Sequence, residues 1–162
     1  MLKHEDAEPP KIVKLLEVID TEETCRLEAH SHLTEGEARG AFCQLVSALQ
    51  PCHQRGVVHP DMKLSNLLLD AKNNVRISDF GLSNQWHPGK KLDTFCSSHM
   101  FEAPEELRHV GSAVDVWSLG VILYIMVTGS LPFRGRDFCE LGQCMFRGQY
   151  QVPEYLSDKS QI

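Results

Sequence analysis

Apolar residues change their spacing several times along this chain, and each change marks an element. Ile12-Val13-Lys14-Leu15-Leu16-Glu17-Val18-Ile19-Asp20 is dense in β-branched and aliphatic residues and reads as a strand. Residues 21–33 are polar and without period, which predicts a loop. At Thr34 the pattern turns helical. Thr34-x-x-Glu37 is a capping box, and Ala38, Phe42, Leu45, Val46 and Leu49 follow at helical spacing as one expected buried face. Pro51 has no N–H for the carbonyl of Ser47, and an interior proline costs about 3 kcal/mol. A kink or early stop is therefore expected there.

The spacing then shortens. Val57-Val58 and Leu67-Leu68-Leu69 read as short buried strands on either side of a polar loop, with a turn at 70–74 and a returning strand at Val75-Arg76-Ile77-Ser78. Residues 82–113 contain Pro88, Gly89, Ser97-Ser98 and Pro104 and are expected to be mostly irregular; a loop of that length is usually functional or disordered. Residues 114–128 form a strongly apolar run, a buried helix closed by Gly129 with Pro132 beyond it. A weaker helix is expected over 138–147, followed by Gly148. There is no internal repeat and no low-complexity tract.

Composition narrows the class. The chain has 162 residues, 42% hydrophobic and 23% charged, ordinary for one soluble domain with a real core. A net charge of −6 argues against nucleic acid or an anionic membrane surface as the main partner. The most apolar segment, 116–127, is interrupted by Ser118 and Gly120 and is too short to span a bilayer. The first residues hold no apolar stretch, so no secretory signal is expected. Six cysteines without Cys-x-x-Cys spacing read as reduced thiols of a cytosolic or nuclear protein. His30-x-His32 has no second ligand pair near it and reads as solvated loop.

The candidate chemistry lies between the short strands. His59-Pro60-Asp61-Met62-Lys63-Leu64-Ser65-Asn66 is followed by Asp79-Phe80-Gly81 and then by Ala103-Pro104-Glu105. Phosphoryl transfer asks for a carboxylate to orient a hydroxyl, hard oxygen ligands for magnesium, and a cation to carry developing charge. Asp61, Asn66 with Asp79, and Lys63 suit those tasks in that order. Each short motif alone means little; their joint order and spacing is the signal.

On these residues the chain resembles a serine/threonine protein kinase of the AMP-activated-kinase-related branch, similar in texture to the microtubule-affinity-regulating and sperm motility kinases. The likeness also rests on residues 12–24, on Lys91-Leu92-Asp93-Thr94-Phe95-Cys96, on Val114-Asp115-Val116-Trp117-Ser118-Leu119-Gly120, on Leu131-Pro132-Phe133 and on Gly148-Gln149-Tyr150-Gln151-Val152-Pro153. It implies an α+β chain with a partial protein-kinase fold, mainly the helical C-terminal lobe. Residues 1–33 would be a remnant strand of the N-terminal lobe with a shortened hinge. Residues 34–162 would be a truncated C-terminal lobe, with catalytic loop 57–69, activation segment 79–105 and buried helix 114–128.

The same resemblance implies roles. Asp61, Lys63 and Asn66 would be catalytic, Asn66 and Asp79 would hold Mg2+, and Lys63 and Asp79 would face ATP. Thr94 would be an activation-loop phosphosite, Glu105 a structural ion-pair partner, and Asp115 the buried acid that anchors the catalytic-loop backbone. Partners would be proteins of the kinase-substrate or kinase-partner type.

The chain also departs from that family. No Gly-x-Gly occurs, and Lys3, Lys11 and Lys14 are candidates for the phosphate-gripping lysine only by default. Where the family keeps a strand, a hinge and a short helix, this chain has only Cys25-Arg26-Leu27-Glu28-Ala29-His30-Ser31-His32. Pro60 replaces an arginine that would read a phosphate, and proline offers no cation. Ser97, His99, Met100 and Glu102 stand where the family has glycine, two prolines and alanine. The chain also stops at Ile162, before the helix whose arginine would meet Glu105. The expectation is a degenerate pseudokinase acting, if at all, as a binding or decoy module. An active serine/threonine kinase and an unstable fragment are the alternatives.

Overall fold

The computed structural model describes residues 32–70, 74–86 and 111–157. The expected strand at 12–20, the shortened hinge, Thr94 and Glu105 lie outside the described residues.

Helix α1 (Glu35–Gln54) begins at the capping box. Thr34 Oγ1 accepts from the Glu37 N–H at 3.3 Å, and the Glu37 carboxylate accepts from the Thr34 N–H at 2.9 Å, so two orphan donors of the first turn are satisfied reciprocally. The Thr34 hydroxyl, donating to the same carboxylate at 2.7 Å, and then the Thr34 N–H hold the Glu37 carboxyl below the usual carboxylate range. The buried face is Ala38, Leu45, Ala48, Leu49 and Cys52. Val46, expected on it, is 44% exposed, because a rotation of about 100° per residue carries it off that arc.

The early stop expected at Pro51 does not occur: α1 runs on to Gln54. Tertiary and local contacts hold the last turn. Cys52 is buried, His53 reaches a carboxylate on a distant helix at 2.6 Å, and Arg55 Nη1 donates to the Pro51 carbonyl at 3.1 Å. One lost N–H is offset by those anchors.

Four short strands follow among the described residues. β2 (Leu67–Leu69) and β3 (Val75–Ile77) pair antiparallel, with Leu67 opposite Ile77 and Leu69 opposite Val75. Asp70 closes their turn by accepting from the Asn74 N–H at 2.8 Å, and Gln44 of α1 accepts from the Val75 N–H at 2.9 Å. β1 (Val57–Val58) pairs antiparallel with β4 (Asn84–Gln85), a strand inside the stretch expected to be irregular. Asn84-Gln85 carries no apolar or β-branched residue, so the pairing rests on backbone bonds that composition does not reveal.

Helix α2 (Ala113–Thr128) ends at Gly129, whose φ of 67° is the left-handed conformation a C-cap favours. It is shared by two cores. Leu119, Ile122 and Met126 pack with Leu45, Leu49, Met62, Leu67 and Ile77. Each such fully buried aliphatic side chain contributes about 1.5–3 kcal/mol. Val121 joins Phe133 and Met145 in a smaller cluster, where the Trp117 and Phe133 rings stack at 5.6 Å. Val116, expected to be buried, is 61% exposed. Helix α3 (Phe138–Arg147) is capped by Asp137, which accepts from the Glu140 N–H at 2.8 Å, and ends at Gly148.

Candidate active site

β1 delivers the chain into residues 59–66, and the entry point is fixed by a buried acid. Asp115, in the first turn of α2, is fully buried; its two carboxylate oxygens accept from the His59 N–H at 3.0 and 3.1 Å. His53 Nε2 lies 2.6 Å from the same carboxylate. A carboxylate taken out of water needs such partners, and a histidine at a helix C-terminus is a suitable one. His53 is the residue that sequence reasoning passed over. A histidine in the last turn of a helix was the signal available, and without the fold nothing pointed it at Asp115. The same acid, together with desolvation as the larger cause, pushes the buried Cys52 thiol up.

His59 turns inward. Its Nε2 donates to the Ser78 carbonyl at 3.1 Å, which assigns the proton to that nitrogen, and its ring meets Phe80 edge-on at 4.9 Å. The loop is thereby joined to the segment holding Asp79.

Lys63 and Asn66 converge on Asp61, which is 7% exposed. Lys63 Nζ lies 2.8 Å from Asp61 Oδ2, and Asn66 Nδ2 donates to the Asp61 backbone carbonyl at 2.8 Å. That bond fixes the Asn66 amide and turns its Oδ1 away as an acceptor. The Asn66 carbonyl accepts both the Ser78 N–H at 2.9 Å and the Ser78 hydroxyl at 3.0 Å, so Asn66 is one residue removed from Asp79 across the extended β2–β3 ladder. Asp79 is exposed, in the left-handed region at φ 56° and ψ 61°, with Oδ1 accepting weakly from the Gly81 N–H at 3.4 Å. It is the one non-glycine at positive φ among the described residues. Aspartate tolerates that conformation better than most residues, and such strain concentrates at functional positions.

The fold therefore brings together Asp61, Lys63 and Asn66, sets Asp79 next to the Ser78 that bonds Asn66, and ties Asp115 to the start of the loop at His59. Chemically, it presents a near-buried carboxylate beside an ammonium group, with an amide oxygen and an exposed carboxylate on adjacent backbone. Among the described residues no three His, Cys, Asp or Glu side chains form a closed metal site. Two hard oxygen donors do suit magnesium, which keeps several waters and shares its coordination with phosphates.

Trp86 and Gly111 flank the stretch 87–110. A Cβ on Gly111 would stand 2.4 Å from the Trp86 indole, at a φ of 55°, so glycine is required there on both counts. The Trp86 N–H donates to the Gly56 carbonyl at 2.6 Å, continuing the β1–β4 pairing.

The protein kinase domain pattern matches residues 4–160. The chain belongs to the protein kinase family. A probable serine/threonine-protein kinase, MARK-A of Dictyostelium discoideum, is 43% identical over 165 residues, covering 91% of this chain and 16% of that protein. NUAK family SNF1-like kinase 2 of Rattus norvegicus is 51% identical over 129 residues, 78% of this chain and 20% of its own length. The Homo sapiens protein of that name is 48% identical over 135 residues, 82% of this chain and 22% of its own. These relatives place the chain in the AMP-activated-kinase-related serine/threonine branch of that family. The chain spans about a fifth of the length of the curated relatives it matches. No helix among the described residues is long and apolar enough to cross a membrane.

Proposed function

We propose that this chain is a pseudokinase: a kinase-fold module that binds proteins, as a partner or decoy, without transferring phosphate. The observation that carries the reading is internal to the sequence. By its resemblance to the family, the chain has only eight residues, Cys25 to His32, where a strand, a hinge and a short helix are expected. In support, the alignment with MARK-A runs over 165 positions while using only 91% of a 162-residue chain, so the relative contains stretches that this chain skips. The hinge is where adenine would be recognised. Pro60 adds a second loss, since it cannot take the place of a phosphate-reading cation.

When bound, ATP supplies the transferable phosphoryl group and magnesium neutralises its charge. Asn66 Oδ1 and the Asp79 carboxylate would hold the ion, and Lys63 would face the phosphates. Asp61 would orient an attacking hydroxyl, kept in place by Lys63 and by the Asn66 amide. This assembled geometry favours the second reading, an active serine/threonine kinase acting on protein hydroxyls. On the first reading the same groups are the inheritance of a transfer site whose nucleotide is not gripped.

A thermal melt with and without magnesium-ATP separates the two. Ligand at about 100 times its dissociation constant adds roughly 2.7 kcal/mol, about 5–10 °C at this size. The pseudokinase reading expects a cooperative melt with no shift. A shift of that order, abolished by Asp79→Ala, would sink it.

A further inference from the structure

After Gly148 the chain runs back along α2 as a strap, residues 149–157. Leu156 is buried and the other strap residues are half-buried or exposed. Tyr124 Oη donates to the Gln151 carbonyl at 2.7 Å, and Tyr155 Oη donates to the Val127 carbonyl at 3.4 Å. Tyr150, Val152 and Leu156 form one wall of an apolar groove of about 710 Å³, whose other wall includes Val116 and Gly120 of α2. At its end, the strap meets the first residue of α1. The Ser157 N–H donates to Glu35 Oε1 at 2.6 Å, and the Ser157 hydroxyl donates to Glu35 Oε2 at 2.7 Å.

We propose that Glu35 and Ser157 form a latch that holds this strap on α2 and thereby sets the width of the apolar groove. Two hydrogen bonds to one carboxylate are charge-assisted and stronger than neutral ones. Apart from Leu156 and the edge-on contacts of Tyr150 with Tyr124 and Phe133, the strap is exposed or half-buried, which marks it as a segment able to open without global unfolding. The latch therefore holds the end of a strap whose middle is tied to α2 by the Tyr124–Gln151 and Tyr155–Val127 bonds. Because the N–H of Leu33 donates to the Met126 carbonyl at 2.6 Å, the start of α1 is itself tied to α2, and the latch closes a ring of contacts around the groove. The proposal is independent of nucleotide and of catalysis.

Chymotrypsin digestion of the full chain tests it, with cleavage after Tyr150 and Tyr155 followed by mass spectrometry. The protease must draw the backbone around each tyrosine away from α2, where Gln151 accepts from Tyr124 and Tyr155 donates to Val127, so cutting reports strap opening. Glu35→Ala removes both acceptors and is expected to speed strap cleavage about tenfold, in line with losing a charge-assisted pair. Far-UV circular dichroism and cleavage elsewhere should stay unchanged. Ser157→Ala should speed strap cleavage less, and should add nothing on the Glu35→Ala background. Unchanged strap cleavage in Glu35→Ala overturns the latch, as does a full additive effect of Ser157→Ala. Should Glu35→Ala lose its helical signal, Ser157→Glu sets a like charge against Glu35. Faster strap cleavage in that variant supports the latch, and unchanged cleavage overturns it.

Discussion

The two faces of α2 put one apolar sequence to opposite uses. On one face Asp115, Leu119, Ile122 and Met126 are buried against α1 and the strands, and the acid is met by His53 and by the His59 N–H. On the other, Val116 is 61% exposed and borders an open groove. Both faces read as equally hydrophobic in sequence. Burial and polar satisfaction separate them, so substitutions should be severe on the first face and mild on the second.

The sharpest way to break this comparison is Asp115→Ala. It leaves a buried backbone N–H without its acceptor and removes the partner of His53. Removing one side of a buried charged network costs about 3–5 kcal/mol, out of a typical stability of roughly 5–15 kcal/mol. At this size the midpoint should fall by roughly 6–20 °C in calorimetry. A midpoint within 2 °C of the parent would mean that Asp115 does not anchor the loop. Ile122→Ala comes next. Ile122 is fully buried, and truncating such a residue costs about 2–5 kcal/mol, readable as a lower denaturation midpoint in urea. A cost below 1 kcal/mol would show that the shared core collapses around the gap.

Much of this was legible beforehand, for physical reasons that differ by element. The Thr34–Glu37 box and Gly129 mark their helix ends because capping is local chemistry, decided by a few neighbouring residues. β2 and β3 were legible because aliphatic runs flank a turn. β4 was not, since Asn84-Gln85 gains its place only from the partner strand. The candidate residues Asp61, Lys63, Asn66 and Asp79 stood out by order and spacing. The His53–Asp115 contact spans 62 positions and exists only once α1 and α2 are packed. The exposure of Val46 and Val116 was hidden for a related reason: helical period says that a face exists, and the neighbours decide how wide it is.

A smaller effect belongs to the exposed cap of α1. Thr34→Ala removes an N-cap and should cost about 1 kcal/mol by chemical denaturation. Part of that contribution is pH-dependent, and its sign follows from Glu37. The carboxyl titrates lower in the folded chain than in the unfolded one, because Thr34 donates to its charged form. Its stabilisation is therefore present at neutral pH and is lost as pH falls from the ordinary carboxylate value through the lowered folded one. Glu37→Gln should flatten that part of the acid limb. An unchanged acid limb in the variant would mean that the box contributes nothing through charge.

The smallest effect tests the open face. Val116→Ser sits six positions before Ile122 on the same helix, and valine and serine have similar helix propensity. An exposed substitution of this kind should change stability by no more than about 0.5 kcal/mol. The comparison therefore predicts a several-fold ratio between two aliphatic truncations on one helix, set by which way each side chain faces. A loss above 1.5 kcal/mol for Val116→Ser would mean that the groove face is covered in solution. Repeating the melt at two protein concentrations would then identify the cover: a midpoint that rises with concentration points to a second copy. A midpoint independent of concentration points to a segment of the same chain lying over Val116.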